Sequence, residues 1–492
     1  MSIKRYVATK DNTITNAFAS NLITRGTGSN MGLSDISEVF SIYGQASTSS
    51  IEKSRVLTEF STTNIQTDRA AGTIPASGSV DFYLKLYNAK HGQTLPREFT
   101  LVVLPISRSW QEGRGLDMEE YSDDGYSNWE DASSSSSGIV NWTTEGGDYH
   151  TSAYVPGSTL PSFSQTFPKG TEDLEINITS LVEEWLAAGV DPARQNYGVG
   201  VMLTSSQEDG SEERSFYTKR FFARGTEFFY KRPVIEAQWD SSRKDDSGNF
   251  YQSSSLASAD DNLNTLFLYN YVRGQLKNIP SVGSNNILLS VYSTLGGSKI
   301  TLPVGGGVVT NNDVNVTGSN VATGIYSATF AYTGSATTIY PVWHSGSTEF
   351  HTASSVAVNS FASNDFNPNP KYVTAITNLK SKYDRDEVAR FRLFTRQKDW
   401  NPTIYVKATS EIETEIIEDA YYKVVRVTDG LEAIPYGTGS NNHTRMSFDK
   451  SGSYFDLDME LLEAGYSYKL HFAYYVNGAY HEQPEMFKFR VE

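Results

Sequence analysis

The chain has 492 residues, 38% apolar and 20% charged, so it is too long for a single hydrophobic core and predicts two to four domains. Its 41 basic and 57 acidic side chains leave a net charge of −16 without a basic tract, which argues against nucleic acid and anionic membranes as partners. With no Cys there are no disulfides and no thiolate metal sites.

Aromatic residues at 13%, with many Ser, Thr, Asn and Gly, predict an all-β chain of sandwiches. The start, MSIKRYVATKDNTITNAF, lacks the apolar core of a secretion signal, and no later stretch approaches about 18 apolar residues. The expectation is synthesis in a cytosol with neither Sec export nor a membrane anchor.

The first segment, residues 1–240, offers the strand candidates RVLTEF, VDFYLKLY, FTLVVLPI, YGVGVML and VIEAQW, each short, β-branched or aromatic, and bounded by Gly, Asn, Asp or Pro. One helix is predicted over residues 178–188, with Thr179 or Ser180 as N-cap, Gly189 as stop, and Leu181, Trp185 and Ala188 on one face. It is expected to cover the open end of a sandwich. Residues 61–79 are Thr-rich and read as uncompacted. Residues 105–148 carry the most distinctive pattern: PISRSWQEGRGLD, a Ser-rich insert, then VNWTTEGGD, so that Trp110 and Trp142 each stand at a Gly-rich corner.

Residues 241–262 are polar and read as a linker. Residues 263–363 repeat apolar runs (ILLSVYS, GIYSATFAY, ATTIYPVW, EFHTASSVAV) at the spacing of a seven-strand immunoglobulin-like sandwich. Pro368 and Pro370 favour an extended connector into a second immunoglobulin-like domain, residues 364–492. There Asn477-Gly478, in YVNGAY, predicts a type I′ hairpin.

Catalytic patterns are absent from the sequence. Seven His occur without H-E-x-x-H spacing, and neither a G-x-S-x-G elbow nor a phosphate-binding G-x-x-x-x-G-K-[ST] is present. Glu112 and Asp117 beside Trp110 permit a glycosidase pair but read better as loop polars. Asp117, Glu119 and Asp123, with Glu120 and Asp124, offer oxygen ligands for a structural Ca²⁺, against which a solvated acidic loop is favoured. No other cofactor is expected. For binding, Tyr121, Tyr126, Trp129 and Tyr149 are candidates to stack on sugar rings, with Asn128 and Asp148 as hydrogen-bond partners. Anchoring of the loop by Trp129 is the favoured alternative. The run FYTKRFFARGTEFFYKRP reads as two strands joined through Arg224-Gly225, aromatics inward, with Lys219, Arg220, Lys231 and Arg232 forming an outer basic stripe for an acidic neighbour subunit.

The order TKDNTI, SRVLTEF, LPISRSWQEGRGLD, VNWTTEGGD, LEINITSLVEEWL, NYGVGVML, KRPVIEAQW over almost half the chain resembles the DNRLRE (disaggregatase-related) β-sandwich domains. The insert between Trp110 and Trp142 departs from that family. The resemblance implies a jelly-roll-like N-terminal sandwich with a binding or scaffolding role. Together with two immunoglobulin-like modules and Tyr-rich strands, the whole chain also resembles virion structural proteins of marine tailed phages, particularly those infecting cyanobacteria. That likeness implies a non-enzymatic decoration, neck or tail-fibre component, present in many copies or as a homo-oligomer beside other virion proteins. The competing implication is an adhesion module for host surface glycans.

Overall fold

In the segment FTLVVLP every second residue is apolar and buried, and this two-residue period organises the N-terminal half. The computed structural model describes residues 2–45, 50–90, 92, 95–116, 126–135, 138–150, 163–187, 195–212, 216–303, 314–361, 367–400 and 414–492. They divide into two compact units, residues 2–240 with 439–443 and residues 241–438 with 444–492. The protein is all-β, and among the described residues no helix is long and apolar enough to cross a membrane.

The first unit contains β1 (Ile3–Val7), β2 (Lys10–Thr15), β3 (Ile36–Gln45), β4 (Ser50–Glu59), β5 (Asp81–Leu86), β6 (Phe99–Pro105), β7 (Asp131–Ser135), β8 (Gly138–Asn141), β9 (Phe163–Phe167), β10 (Leu174–Asn177), β11 (Val199–Leu203), β12 (Phe216–Phe222) and β13 (Val234–Gln238). One antiparallel sheet runs β1-β13-β5-β10; the other runs β12-β3-β4-β11-β6-β9, with β2 added on β4. Phe82, Leu84 and Leu86 of the first sheet share one core with Phe99, Leu101, Val103, Val199 and Val201 of the second. Two nine-residue helices and a single turn, α3 (Ser205–Glu208), complete it among the described residues. Helix α2 (Thr179–Ala187) lies where the sequence predicts a helix and buries Leu181, Val182 and Trp185, whereas the expected stop at Gly189 lies outside the described residues. Helix α1 (Thr62–Ala70) forms in the stretch read as uncompacted, because Ile65 reaches the core and Arg69 grips Glu183 of α2 through two hydrogen bonds of 2.9 and 2.7 Å.

The basic run is also corrected. The strand β12 is followed by a turn and a 3₁₀ segment at Phe229–Lys231, and the next strand, β13, belongs to the other sheet, so no hairpin forms. Tyr217, Lys219 and Phe221 share the inward face of β12, which takes Lys219 into the interior at 1% exposure. Arg220, pointing the other way, pairs with Glu38 of β3 at 3.0 Å.

The second unit opens with β14 (Phe250–Tyr251), β15 (Leu263–Tyr269), the small hairpin β16 (Tyr271–Val272) and β17 (Gln275–Leu276), β18 (Ile287–Tyr292), β19 (Val316–Ala322), β20 (Ile325–Ala331), β21 (Thr338–Ser345), β22 (Thr348–Thr352) and β23 (Val356–Asn359). Apart from the hairpin these form one continuous sheet, β14-β23-β21-β18-β19-β20-β15 with β22 on β21, wrapped around Leu289, Tyr326, Phe330 and Trp343. The chain continues with β24 (Tyr372–Ile376), β25 (Lys382–Tyr383), β26 (Val388–Gln397), β27 (Ala420–Arg426), β28 (Glu432–Ile434), β29 (Ser447–Asp449), β30 (Gly452–Asp458), β31 (Ser467–Val476), β32 (Ala479–Glu482) and β33 (Phe487–Val491). Their sheets, β24-β26-β30-β29 and β25-β33-β31-β27-β28, meet through aromatic pairs such as Phe455 and Tyr422, stacked at 4.1 Å. The β31–β32 hairpin turns at Asn477 and Gly478, with φ of 53° and 78°, the geometry that a type I′ turn requires.

The polar stretch read as a linker is built into both sandwiches of this unit. Lys244 bridges Phe448 in parallel, Asp246 Oδ2 accepts from the Thr265 N–H at 2.6 Å, and Phe250 is fully buried in the core of the first of them. Phe250→Ala is therefore expected to cost about 3–5 kcal/mol in the unfolding of this unit, as core phenylalanine truncations do. Denaturant titration followed by circular dichroism checks it, and an unchanged midpoint would mean that the segment contributes only connection.

Candidate functional site

The corner predicted at Trp110 and Trp142 forms a second, smaller core on the outer side of β2, β4 and β11. Trp110, Trp129 and Trp142 pack there with Ile14, Leu57, Ile106 and Ala132, flanked by Tyr149 and Tyr197. Both rings nearest the corners use their polar handle: Trp110 Nε1 donates to Tyr197 O at 2.8 Å, and Trp142 Nε1 to Asn128 O at 2.9 Å. At the centre Arg55 of β4 lies 5.4 Å from the Trp129 ring and 5.6 Å from the Tyr149 ring, grips Glu208 with two hydrogen bonds and donates to Gly146 O at 2.9 Å. Burial pushes the Tyr149 hydroxyl up to about 12, and its Oη donates to Gly146 O.

The glycines of the motif are there for close approach. A Cβ on Gly115 would stand 1.7 Å from Asn30 O, one on Gly113 1.9 Å from Asn30 Oδ1, and one on Gly200 of β11 2.1 Å from the Tyr149 ring. Asn30 Oδ1 accepts from the Gly115 N–H at 2.8 Å, so the Gly-rich segment is laid directly on Asn30.

This packing places the proposed sugar-stacking residues as follows. Trp129 is 4% exposed and offers no ring face; Asn128 is buried, its Oδ1 accepting from the Glu130 and Asp131 N–H groups at 2.9 and 2.7 Å. Asp148 accepts from the Thr143 and Thr144 N–H groups, both at 3.0 Å. Tyr126 is half-buried beneath the Arg114 guanidinium, 4.6 Å away. Tyr121 and the Ca²⁺ candidates Asp117, Glu119 and Asp123 lie outside the described residues. Of the docking stripe, Lys231 sits 5.2 Å over Tyr87 and Arg232 Nε donates to Thr226 O at 3.2 Å, so with Lys219 inside no continuous stripe forms. The alternation of apolar and polar residues locates Lys219 only once the phase of β12 is known, whereas Trp129 precedes β7 in a loop whose packing no alternation shows.

The groups with catalytic character are likewise enclosed. Glu112 accepts from the Asp11 N–H and from Arg224 at 2.8 and 2.9 Å. Burial, aided by the Glu112 charge, raises Asp11 to about 7 against the Arg224 N–H that its Oδ2 accepts. Ser290 Oγ lies 2.7 Å from His344 Nε2, the spacing of a nucleophile and its base, yet Ser290 is fully buried. What the sequence reading did not reach is the outer face of the C-terminal hairpin, where Tyr475 and Tyr480 stand 41% and 48% exposed with ring centroids 4.8 Å apart. The Tyr-rich string HFAYYVNGAY was the available signal.

No protein-family model matches the chain, and no curated protein matches it in sequence. Among solved structures it matches the Yersinia pseudotuberculosis adhesin InvE (12% identity, TM-score 0.16) over 41% of this chain and 48% of that one. It also matches E. coli alpha-2-macroglobulin (10% identity, TM-score 0.15) over 94% of this chain and 20% of that one, and a marsupial T cell receptor (8% identity, TM-score 0.16) over 50% and 71%. The chain thus spans about half of the adhesin and a fifth of the macroglobulin. None of these scores reaches that of a shared fold.

Gly115→Ala is expected to lower the melting temperature of the first unit by several degrees or abolish soluble expression, whereas Gly78→Ala, with nothing among the described residues within 4 Å of its Cβ, costs far less. Equal melting curves for the two variants would contradict the close approach to Asn30. Asp11 has its folded value raised from 3.8 to about 7, so its proton-linked stabilisation is complete below the lower value and lost as pH rises past the upper one. Asp11→Asn should raise the melting temperature relative to wild type more at pH 8 than at pH 5, and a pH-independent difference would count against the buried carboxylate.

Proposed function

We propose that this protein is a non-enzymatic structural component of a tailed-phage particle, a decoration, neck or tail-fibre element that assembles with other virion proteins in multiple copies. One observation carries the reading: five ionisable groups with strongly altered behaviour are hydrogen-bonded or ion-paired within the framework. Asp11 accepts from the Arg224 N–H, Lys219 donates to the Gly170 and Glu172 carbonyls, Glu236 pairs with Arg5 and Lys85, and Asp245 and Asp246 accept from the Ser247 and Thr265 N–H groups. An enzyme arranges perturbed groups around a space for substrate, whereas these fasten strands to neighbouring strands, loops and turns. Sandwiches in series, with self-contained aromatic cores, suit a particle component that must stay folded at high local concentration.

A second reading, adhesion to surface glycans, is favoured by a different place from the Trp129 loop: the exposed Tyr475 and Tyr480 pair, whose faces suit stacking on sugar C–H groups.

The assembly reading is tested by probing purified particles of the encoding phage with an antibody against the chain. Labelling at a fixed position with a fixed copy number is expected, and its absence from particles despite presence in lysate overturns the proposal. Light scattering and a glycan array on the purified protein separate the two readings. Glycan binding that disappears in Tyr475→Ala with Tyr480→Ala moves adhesion forward.

A further inference from the structure

Lys219 is a cation placed where a core residue belongs. On the inward face of β12 it is 1% exposed, with Nζ 5.0 Å from the Phe167 ring centroid and 5.2 Å from that of Phe221. Nζ donates to Asn88 Oδ1 at 2.7 Å, to Gly170 O at 3.0 Å and to Glu172 O at 2.6 Å. Burial lowers its ammonium to about 8, against the opposing charges of Asp173 and Glu172. The neutral, nucleophilic amine is therefore populated near neutral pH, where an exposed lysine is almost wholly protonated.

The electrophile is equally fixed. Asn88 follows β5, donates its backbone N–H to Asp173 Oδ1 at 2.7 Å and bridges Phe221 of β12. Since a C=O bond is about 1.2 Å long, the Asn88 Cγ lies no further than about 3.9 Å from Nζ, close to the separation of reacting atoms. The Glu172 carboxylate accepts from the Lys169 N–H at 2.8 Å through Oε1, while Oε2 is enclosed with no hydrogen-bond partner among the described residues. Backbone N–H groups hold this carboxyl below its ordinary value despite slight burial, so it is an ionised carboxylate whose charge acts on the Lys219 ammonium from outside hydrogen-bonding distance.

We propose that Lys219 and Asn88 join in an intramolecular isopeptide bond, formed by the folded protein on itself, that ties β12 of one sheet to the end of β5 in the other. Nζ attacks Cγ, the Nζ–Cγ bond forms and the Cγ–Nδ2 bond breaks. The two protons that the lysine ammonium gives up leave with Nδ2 as ammonium, and nothing is oxidised or reduced. The protons pass from Nζ to the departing Nδ2 within the Lys219–Asn88 pair, the Glu172 and Gly170 carbonyls hold Nζ in place, and Asp173 positions Asn88 through its backbone. No co-reactant is needed. In a chain without Cys such a bond would staple the two sheets of a sandwich as a disulfide does elsewhere.

The test is the intact mass of the purified full chain under denaturing conditions, followed by digestion and sequencing of joined peptides. The expected result is a mass about 17 Da below that of the encoded chain, one ammonia lost, with a branched peptide linking the Asn88 and Lys219 segments. Lys219→Arg, which keeps the charge, should restore the full mass. A wild-type chain at full mass overturns the proposal and leaves Lys219 as a hydrogen-bonded ammonium. A deficit without the joined peptide overturns it as well, because cyclisation of an asparagine elsewhere, as at Asn477-Gly478, loses the same ammonia.

Discussion

A single row of alternating charges sets the frame of the N-terminal sandwich. Arg5, Glu236, Lys85 and Glu175 stand on β1, β13, β5 and β10, in the order in which those strands lie side by side, with contacts of 2.6, 2.9 and 3.0 Å. Burial would raise the Glu236 carboxyl, yet Arg5 and Lys85 overcome it and hold the group well below the usual range. The net stabilisation from such a row is modest, since desolvation offsets attraction. Its larger effect is on register: a one-residue slip of β13 would turn Glu236 to the apolar face and Ile235 to the charged one. The same register, with Glu175 opposite Lys85, brings the chain after β5 beside the chain before β10, so that Asn88 meets Asp173 through its backbone and Lys219 through its side chain.

On the opposite sheet Arg55 has the corresponding role. It projects from β4 away from the main core, with Trp129 of the insert and Tyr149 beyond it on its faces and Gly146 O at its edge. Removing one partner of so enclosed a pair leaves an uncompensated charge, a loss of about 3–5 kcal/mol in comparable cases. The departure from the resembled family is therefore packed structure in the described part of the insert, and its tryptophans act as anchors.

Much of this was legible in the chain. VDFYLKLY shows Phe82, Leu84 and Leu86 as one buried face by alternation, FTLVVLP shows a buried strand by its apolar run, and Asn477-Gly478 specifies its turn because both residues tolerate positive φ. What was not legible depended on partners distant in sequence. Nothing local in TTNIQTDRA announces a helix, whose Ile65 joins the main core and whose Arg69 finds its partner more than a hundred residues later on α2. Lys219 looks like a surface lysine until the phase of β12 is fixed by Tyr217 and Phe221 on either side. A polar side chain at an inward position is the kind of local violation that sequence reasoning discards and that marks a site of special chemistry or strain.

The segment 243–251 shows why polar composition is a poor guide to linkers. Arg243 and Asp245 exchange backbone hydrogen bonds with Phe448 at 2.9 and 3.1 Å, Asn249 reaches Glu418 at 3.0 Å, and Phe250 pairs with Val358 while filling the adjacent core. Nine residues thus hold an edge in each of two sandwiches. Burial raises Asp245 to about 6 and Asp246 to about 7, which is the cost of a polar strap between two packed layers. A mobile tether would bear no such cost, since its carboxylates would stay in water. The two sandwiches accordingly fall within one compact unit, joined by backbone hydrogen bonds and a buried aromatic ring.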